Sequence, residues 1–186
     1  ITALATAAVG AAAMRQLGAG KSTIRTRVNL PGVLAALLTV AKSGGACTVT
    51  IRSLSMGLPL TLKAIDMPEE MVKTLDSPFG LILIAGPTGS GKVTTGYVMV
   101  NHINETKPCH IVIADDYLIS FPAKQAVLSW CEVGQDAPDL ASAIRGALER
   151  DPDVLFVPDL NTPATVEAAL RAADTGHLVL SVMHAH

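Results

Sequence analysis

Cysteine, aromatic residues and net charge are all scarce in this sequence. The three cysteines lie far apart and form no CxxC pair, so the sequence predicts neither a disulfide framework nor a zinc site, and it suits a reducing compartment. The formal net charge of −2 argues against a nucleic-acid partner, because such binding usually needs a basic face. Hydrophobic residues make up 49% of the 186 positions, which is enough for a sizeable core.

The start of the chain also lacks the features of a membrane span or a signal peptide. The apolar run ITALATAAVGAAA ends at residue 13, whereas a spanning helix needs about 20 apolar residues. No basic leader precedes it, as a signal peptide would require. We predict an Ala-rich helix here, with a helix that binds a membrane surface or a partner as the alternative.

Apolar runs alternate with helix-like segments from residue 78 onward. Uninterrupted apolar strands separated by helices indicate a parallel sheet covered on both faces, which is an α/β fold. The predicted strands are 81–85, 110–114, 154–157 and 178–183, and the predicted helices are 92–104, 138–150 and 162–175. Pro138 suits the first turn of the second helix, with Asp136 or Ala137 before it, and Thr162-Pro163 opens the third.

The chain before residue 78 has a different pattern. Residues 25–29 and 47–52 alternate as strands do, and residues 33–42 resemble a short helix. A linker-like run over 56–69 precedes a further predicted helix over 67–75. We therefore predict a partial N-terminal domain and linker at 1–66, and a second domain, the α/β core, at 67–186.

Two segments resemble lysine-containing phosphate loops: GAGKST at 18–23 and GPTGSGKVT at 86–94. Such a loop follows a strand and opens a helix, so that backbone N–H groups and the lysine meet phosphate oxygens while the next hydroxyl binds magnesium. Only the second segment has this setting. The first follows a helix-like segment and precedes a strand-like one, and Arg15 stands where the first glycine is needed, so we predict a polar turn.

The second loop opens a series of motifs that resembles the secretion ATPase superfamily. Five motifs follow one another in that family's order and spacing: GLILIAGPTGSGK, INETKPCHIVIADD, EVGQD, ALERDPDVLFV and AADTGHLVLSVMHAH. The resemblance as a whole runs from about residue 44 to residue 186. The motors of type IV pilus retraction and type II secretion are the nearest in pattern. Before residue 44 only the RTRVN strand resembles the family, in its small N-terminal domain.

The resemblance implies a RecA-like P-loop core that follows a remnant of a small α/β N-terminal domain. It further implies magnesium-ATP, a hexameric ring, and a cytoplasmic location at the inner-membrane platform of a pilus or secretion machine. The family continues through a helical region beyond the point where this sequence ends, so the resemblance predicts a truncated core.

The resemblance assigns nucleotide contacts to every position of the second loop. These residues are Gly86, Pro87, Thr88, Gly89, Ser90, Gly91, Lys92, Val93 and Thr94. Val93 replaces the family's serine and cannot ligate magnesium. Thr94 lies about 100° further round the helix axis, which makes it a poor substitute.

The acidic motifs also depart from the family pattern. Asp115 and Asp116 remain at the end of a strand and are candidate catalytic acids, while Ile119 replaces the glutamate that activates water. A solvated strand end is the plain alternative for this acid pair. Pro158-Asp159 replaces Gly-Glu, and Asp159 would hold magnesium through water.

Residues 175–179 and 183–184 match the family's histidine motif well. The resemblance implies that His177 and His184 sense the outer phosphate. His184 with His186 could alternatively form a metal site, although nothing else in the sequence supports one. Candidate arginine fingers are Arg25, Arg27 and Arg52, for which a structural role is at least as well founded.

Two functions follow from these residues. The first is an ATP-binding motor ATPase of the pilus or secretion class. The second is a non-hydrolysing regulatory or structural subunit, because Val93 and Ile119 together remove the metal hydroxyl and the catalytic base. A third, weaker hypothesis makes residues 1–42 a docking arm for a membrane or partner.

Overall fold

The computed structural model describes residues 23–30, 33–43, 46–53, 61–115, 121–134 and 136–185. The chain divides into two compact units, Ile1–Leu58 and Pro59–His186. The division between functional domains at residues 66 and 67 stays a prediction. No helix within the described ranges is long and apolar enough to cross a bilayer.

The described part of the first unit is a three-stranded antiparallel sheet. Strands β1 (Thr23–Leu30), β2 (Val33–Ser43) and β3 (Ala46–Ser53) follow in the order β1-β2-β3. The strands predicted over 25–29 and 47–52 are confirmed. A strand also follows the GAGKST segment, as expected, while residues 18–22 and the Ala-rich start lie outside the described residues.

The helix predicted over 33–42 is wrong, because this segment is the central strand β2. Its backbone pairs with β1 on one side and with β3 on the other. Leu38 and Val40 are buried while Thr39 and Ala41 are half-buried, which is the two-residue alternation of a strand. The leucines and alanines favour a helix locally, but hydrogen bonds to two neighbouring strands outweigh that preference.

The second unit is a parallel sheet with helices, which confirms the predicted α/β fold and agrees with a RecA-like core. The strands run parallel in the order β4-β8-β7-β5-β6. They are β4 (Gly80–Gly86), β5 (His110–Asp115), β6 (Val127–Glu132), β7 (Val154–Val157) and β8 (Leu178–His184). The helices are α1 (Glu69–Thr74), α2 (Lys92–Thr106), α3 (Leu140–Leu148) and α4 (Pro163–Asp174), with a 3-10 turn at Leu62–Ile65.

Helices cover both faces of this sheet, as its apolar strands predicted. On β5, Val112 and Ala114 belong to the cluster formed with α3 and α4. Ile111 and Ile113 point the other way, into the cluster formed with α2. Each strand therefore contributes alternate side chains to two buried layers.

Strand β6 was not predicted from the sequence. It pairs only with β5 among the described strands, and most of its side chains are half-buried. Ser129 interrupts its apolar run, so neither alternation nor a continuous apolar segment marks it as a strand.

The helix ends show how local sequence selects the boundaries. Thr162 caps α4 in a capping box with Thr165, and Pro163 occupies the first turn, as predicted. Helix α3 begins later than predicted, because Asp139 is its cap and accepts a hydrogen bond from the Ser142 backbone N–H. That hydrogen bond also lowers the pKa of the Asp139 carboxyl.

Gly96 allows α2 to approach β7 closely, and its substitution is expected to destabilise the unit. A Cβ at position 96 would lie 2.6 Å from Cε2 of Phe156, a fully buried ring. We expect Gly96→Ala to reduce the free energy of unfolding by about 1–3 kcal/mol, as overpacking does. Denaturant titration measures the change.

Gly146 in α3 provides the matched control. A Cβ there would meet nothing within 4 Å, so Gly146→Ala should stabilise the protein by about 0.5–1 kcal/mol through the better helix propensity of alanine. Equal effects of the two substitutions would contradict the close packing of α2 on Phe156.

Candidate functional site

The candidate site lies where the parallel strands end. Because all five strands run in one direction, their carboxyl ends share one edge of the sheet. Gly86 at the end of β4 pairs with His184 at the end of β8. Asp115 ends β5, and Asp159 follows β7, which lies between β8 and β5.

The GPTGSGKVT segment forms the turn between β4 and α2. Gly89 and Gly91 have φ values of 81° and 88°, in the left-handed region that a glycine adopts without steric cost. Gly91 is the cap of α2, which begins at Lys92. The first N–H groups of α2 have no partner within the helix, so they can bind an anion at this turn.

Lys92 is buried inside this turn, with 6% of its surface exposed. Its Nζ donates a hydrogen bond of 2.6 Å to the Pro87 carbonyl oxygen, and Ser90 Oγ donates to the same oxygen over 2.8 Å. A buried ammonium needs such a partner. The lysine is thus held within the loop, where phosphate oxygens could replace the carbonyl.

Val93 lies in the first turn of α2 with 40% of its surface exposed. Its side chain has no atom that could ligate a metal. Thr94 is half-buried and follows on the next helical position. The structure therefore brings Val93 next to the loop without the hydroxyl that magnesium would need.

Asp115 and Asp159, the two predicted site acids that the structure describes, differ in their surroundings. Asp115 is buried and accepts a hydrogen bond from the Tyr97 hydroxyl. Asp159 is half-buried; its Oδ2 accepts a hydrogen bond from Asn161 over 2.8 Å, and its Oδ1 is buried without a partner among the described residues. An unpartnered carboxylate oxygen at this edge suits a magnesium ion or its bound water. Asp116 and Ile119 lie outside the described residues.

The structure places only one of the two predicted histidines at the loop. His184 is exposed, with Nδ1 3.5 Å from Thr88 Oγ1, and the following Ala185 donates its N–H to the Gly86 carbonyl. His177 precedes β8 at the opposite end of that strand. There its Nδ1 lies 2.9 Å from the Ala172 carbonyl oxygen.

The other predicted site residues lie in the first unit or outside the described residues. Arg25 and Arg27 lie on β1 and Arg52 lies on β3, all in the first unit, and their role stays a prediction. His186 lies outside the described residues. Within the described ranges, no group of three or more histidine, cysteine, aspartate or glutamate side chains could hold a metal ion.

The sequence of this chain matches a known protein family. Residues 20–186 match the family described as type II/IV secretion system protein. The chain belongs to this family. The secretion ATPase superfamily inferred from the motifs is thereby confirmed.

Members of the family with known roles are similar to the chain. A twitching motility protein of Neisseria gonorrhoeae is 40% identical over 126 residues, which cover 67% of this chain and 34% of that protein. The type IV pilus retraction ATPase PilT of Pseudomonas aeruginosa is 38% identical over 126 residues, covering 67% of this chain and 37% of PilT.

Solved structures of the family share the fold. The crystal structure of the pilus retraction motor PilT with bound ADP superposes with a TM-score of 0.90 at 35% identity, covering 100% of this chain and 54% of that one. The ATPase DotB of Legionella pneumophila gives a TM-score of 0.72 at 26% identity, covering 98% of this chain and 53% of DotB. The chain therefore spans about half the length of these solved relatives.

Proposed function

We propose that this protein binds ATP at Gly86–Thr94 and belongs to a motor of the type IV pilus or type II secretion class. The observation that carries the proposal is the buried Lys92 inside a strand-loop-helix turn. Its ammonium would neutralise the outer phosphates, and the backbone N–H groups at the start of α2 would donate hydrogen bonds to their oxygens. The ADP bound in the similar PilT structure supports this assignment.

Magnesium would be held at this site by oxygen atoms of Asp159, directly or through water. The unpartnered Oδ1 supports this role. When bound, the ion would neutralise charge on the phosphates. Because Val93 supplies no hydroxyl, the chain offers magnesium fewer ligands than a loop with serine at that position.

A non-hydrolysing subunit of such a machine is the second candidate function. The exposed Val93 favours it, because this apolar side chain stands at the loop in place of a metal ligand. Ile119, where the resemblance requires glutamate, would remove the group that activates water. Nucleotide binding is then retained and turnover is lost.

The proposed partners follow from the relatives. PilT and type II secretion protein E are parts of pilus and secretion systems, and both are similar to this chain. We propose assembly into a hexameric ring that works from the cytoplasm on an inner-membrane platform. Analytical ultracentrifugation with and without ATP would test assembly, and a species that remains monomeric at all concentrations would contradict it.

One experiment separates the two functions. ATP affinity and magnesium-dependent phosphate release are measured on the purified chain. Binding with turnover supports the motor, and binding without turnover supports the non-hydrolysing subunit. A chain that binds no ATP would overturn both.

The two histidines are expected to differ in their effect on the bound nucleotide. His184→Ala should weaken ATP binding about 10-fold to 100-fold, the range of one hydrogen bond to a charged group, with less effect on ADP. His177→Ala is the matched control, because its contacts lie in the turn between α4 and β8. It should lower thermal stability and leave the affinity of the isolated chain unchanged. Isothermal titration measures both affinities, and an effect of His177→Ala on ATP alone would contradict the assignment.

A further inference from the structure

The Asp115 carboxylate is held inside the core by a tyrosine hydroxyl. Tyr97 Oη donates a hydrogen bond of 2.6 Å to Asp115 Oδ2. Tyr97 is completely buried and Asp115 is 3% exposed. A buried carboxylate is strongly stabilised by such a donor, and hydrogen bonds to charged groups are stronger than neutral ones. The acid is therefore fixed against α2, away from solvent at the sheet edge.

The Tyr97 ring is itself fixed by two aromatic contacts. It packs edge-on against Phe156 with ring centroids 4.9 Å apart, and against Phe121 at 6.4 Å. Phe156 lies on β7, the strand that leads to Asp159. The absence of a side chain at Gly96 gives Phe156 its space beneath α2. The hydroxyl consequently has a defined position relative to β5 and β7.

Tyr97 thus connects helix α2, which follows the phosphate loop, to Asp115 at the end of β5. The helix that begins at Lys92 carries Tyr97, and β5 ends at Asp115. We propose that Tyr97 is a positioning residue that withholds Asp115 from the magnesium of the bound nucleotide. Asp159, which has an unpartnered oxygen, would then be an acid available to the metal. This inference rests on the proposed ATP binding.

Stability measurements on the full chain test whether Tyr97 holds Asp115. Tyr97→Phe removes only the hydroxyl and keeps the ring contacts. We expect it to raise the equilibrium constant of unfolding about tenfold or more in the unmodified chain. In the Asp115→Ala background the effect should be less than about threefold, because the acceptor is already absent. Additive effects of the two substitutions would overturn the proposal.

Nucleotide titrations test whether Asp115 is withheld from magnesium. The measured quantity is the ratio of ATP affinity with magnesium to ATP affinity without it. Asp115→Asn should leave this ratio within about twofold in the unmodified chain. Tyr97→Phe should raise it about threefold, the scale of an accessible ion pair, and adding Asp115→Asn should cancel the gain. A tenfold loss from Asp115→Asn alone, or no change in Tyr97→Phe, would overturn the proposal.

Ser181 provides a matched control for the loss of a buried hydroxyl. Its Oγ donates a hydrogen bond of 2.6 Å to the Val157 carbonyl and has no part in the Tyr97 contact. Ser181→Ala should destabilise the chain and leave the magnesium ratio unchanged. A chain that binds no ATP would overturn the proposed function and the metal role together. The stability measurements on Tyr97→Phe, with and without Asp115→Ala, would still decide whether Tyr97 positions Asp115.

Discussion

Replacing Val93 with serine and Ile119 with glutamate together is expected to raise magnesium-dependent ATP hydrolysis about 10²–10⁴-fold. That range is the usual contribution of a positioned general base, which glutamate would supply and isoleucine cannot. Serine at position 93 would place a hydroxyl beside Lys92, where the exposed valine now stands. Phosphate release at saturating ATP, with and without magnesium, measures the gain.

The single substitutions and one unrelated substitution serve as controls for this prediction. Val93→Ser alone should tighten magnesium-dependent binding with little turnover, since the base is still missing. Val127→Ser adds a hydroxyl at an exposed valine on the edge strand β6 and should change neither quantity. Robust hydrolysis by the unmodified chain would contradict the non-hydrolysing alternative.

Lys92→Met is expected to weaken ATP binding about 100-fold. Methionine preserves the apolar stem within the loop but removes the ammonium that would contact the phosphates. A hydrogen bond to a charged group contributes up to about 3 kcal/mol, and each factor of ten in affinity corresponds to about 1.4 kcal/mol. Isothermal titration with ATP measures the loss.

Lys63→Met is the matched control for the lysine. Lys63 is an exposed residue of the 3-10 turn, so its loss should leave ATP affinity unchanged. A thermal melt of each variant separates loss of binding from loss of folding. ATP binding of unchanged strength in Lys92→Met would remove the phosphate loop from the proposed function.

Sequence patterns located most elements of the second unit because its strands are buried on both faces. Residues 154–157 were predicted as a strand with the bounds that the structure has, since uninterrupted apolar runs leave little ambiguity. The start of α4 was equally clear, because Thr162 and Pro163 form a local capping signal. By contrast, β2 was mistaken for a helix, because only its pairing with β1 and β3 shows that it is a strand.

Some features of the candidate site could be predicted from the sequence, and others are visible only in the structure. The loop glycines, Lys92 and the missing hydroxyl at Val93 follow from residue types at fixed spacing, which sequence alone displays. His177 and His184 were treated alike in the sequence, yet they lie at opposite ends of β8, because a strand of seven residues separates its ends by about 20 Å. The hydrogen bond from Tyr97 to Asp115 joins residues on a helix and a strand, and no local pattern indicates it.

The sequence by itself determined the family, and it predicted the phosphate loop and the altered residues Val93 and Ile119, because each depends on which residue stands at which position. Only the tertiary structure decided which acid is buried and which keeps an unpartnered oxygen. Asp115 ends one apolar strand and Asp159 follows another, and these two aspartates differ in what packs around them. Burial and hydrogen bonding depend on neighbours that are remote along the chain, so their effect appears only once the helix and sheet are assembled.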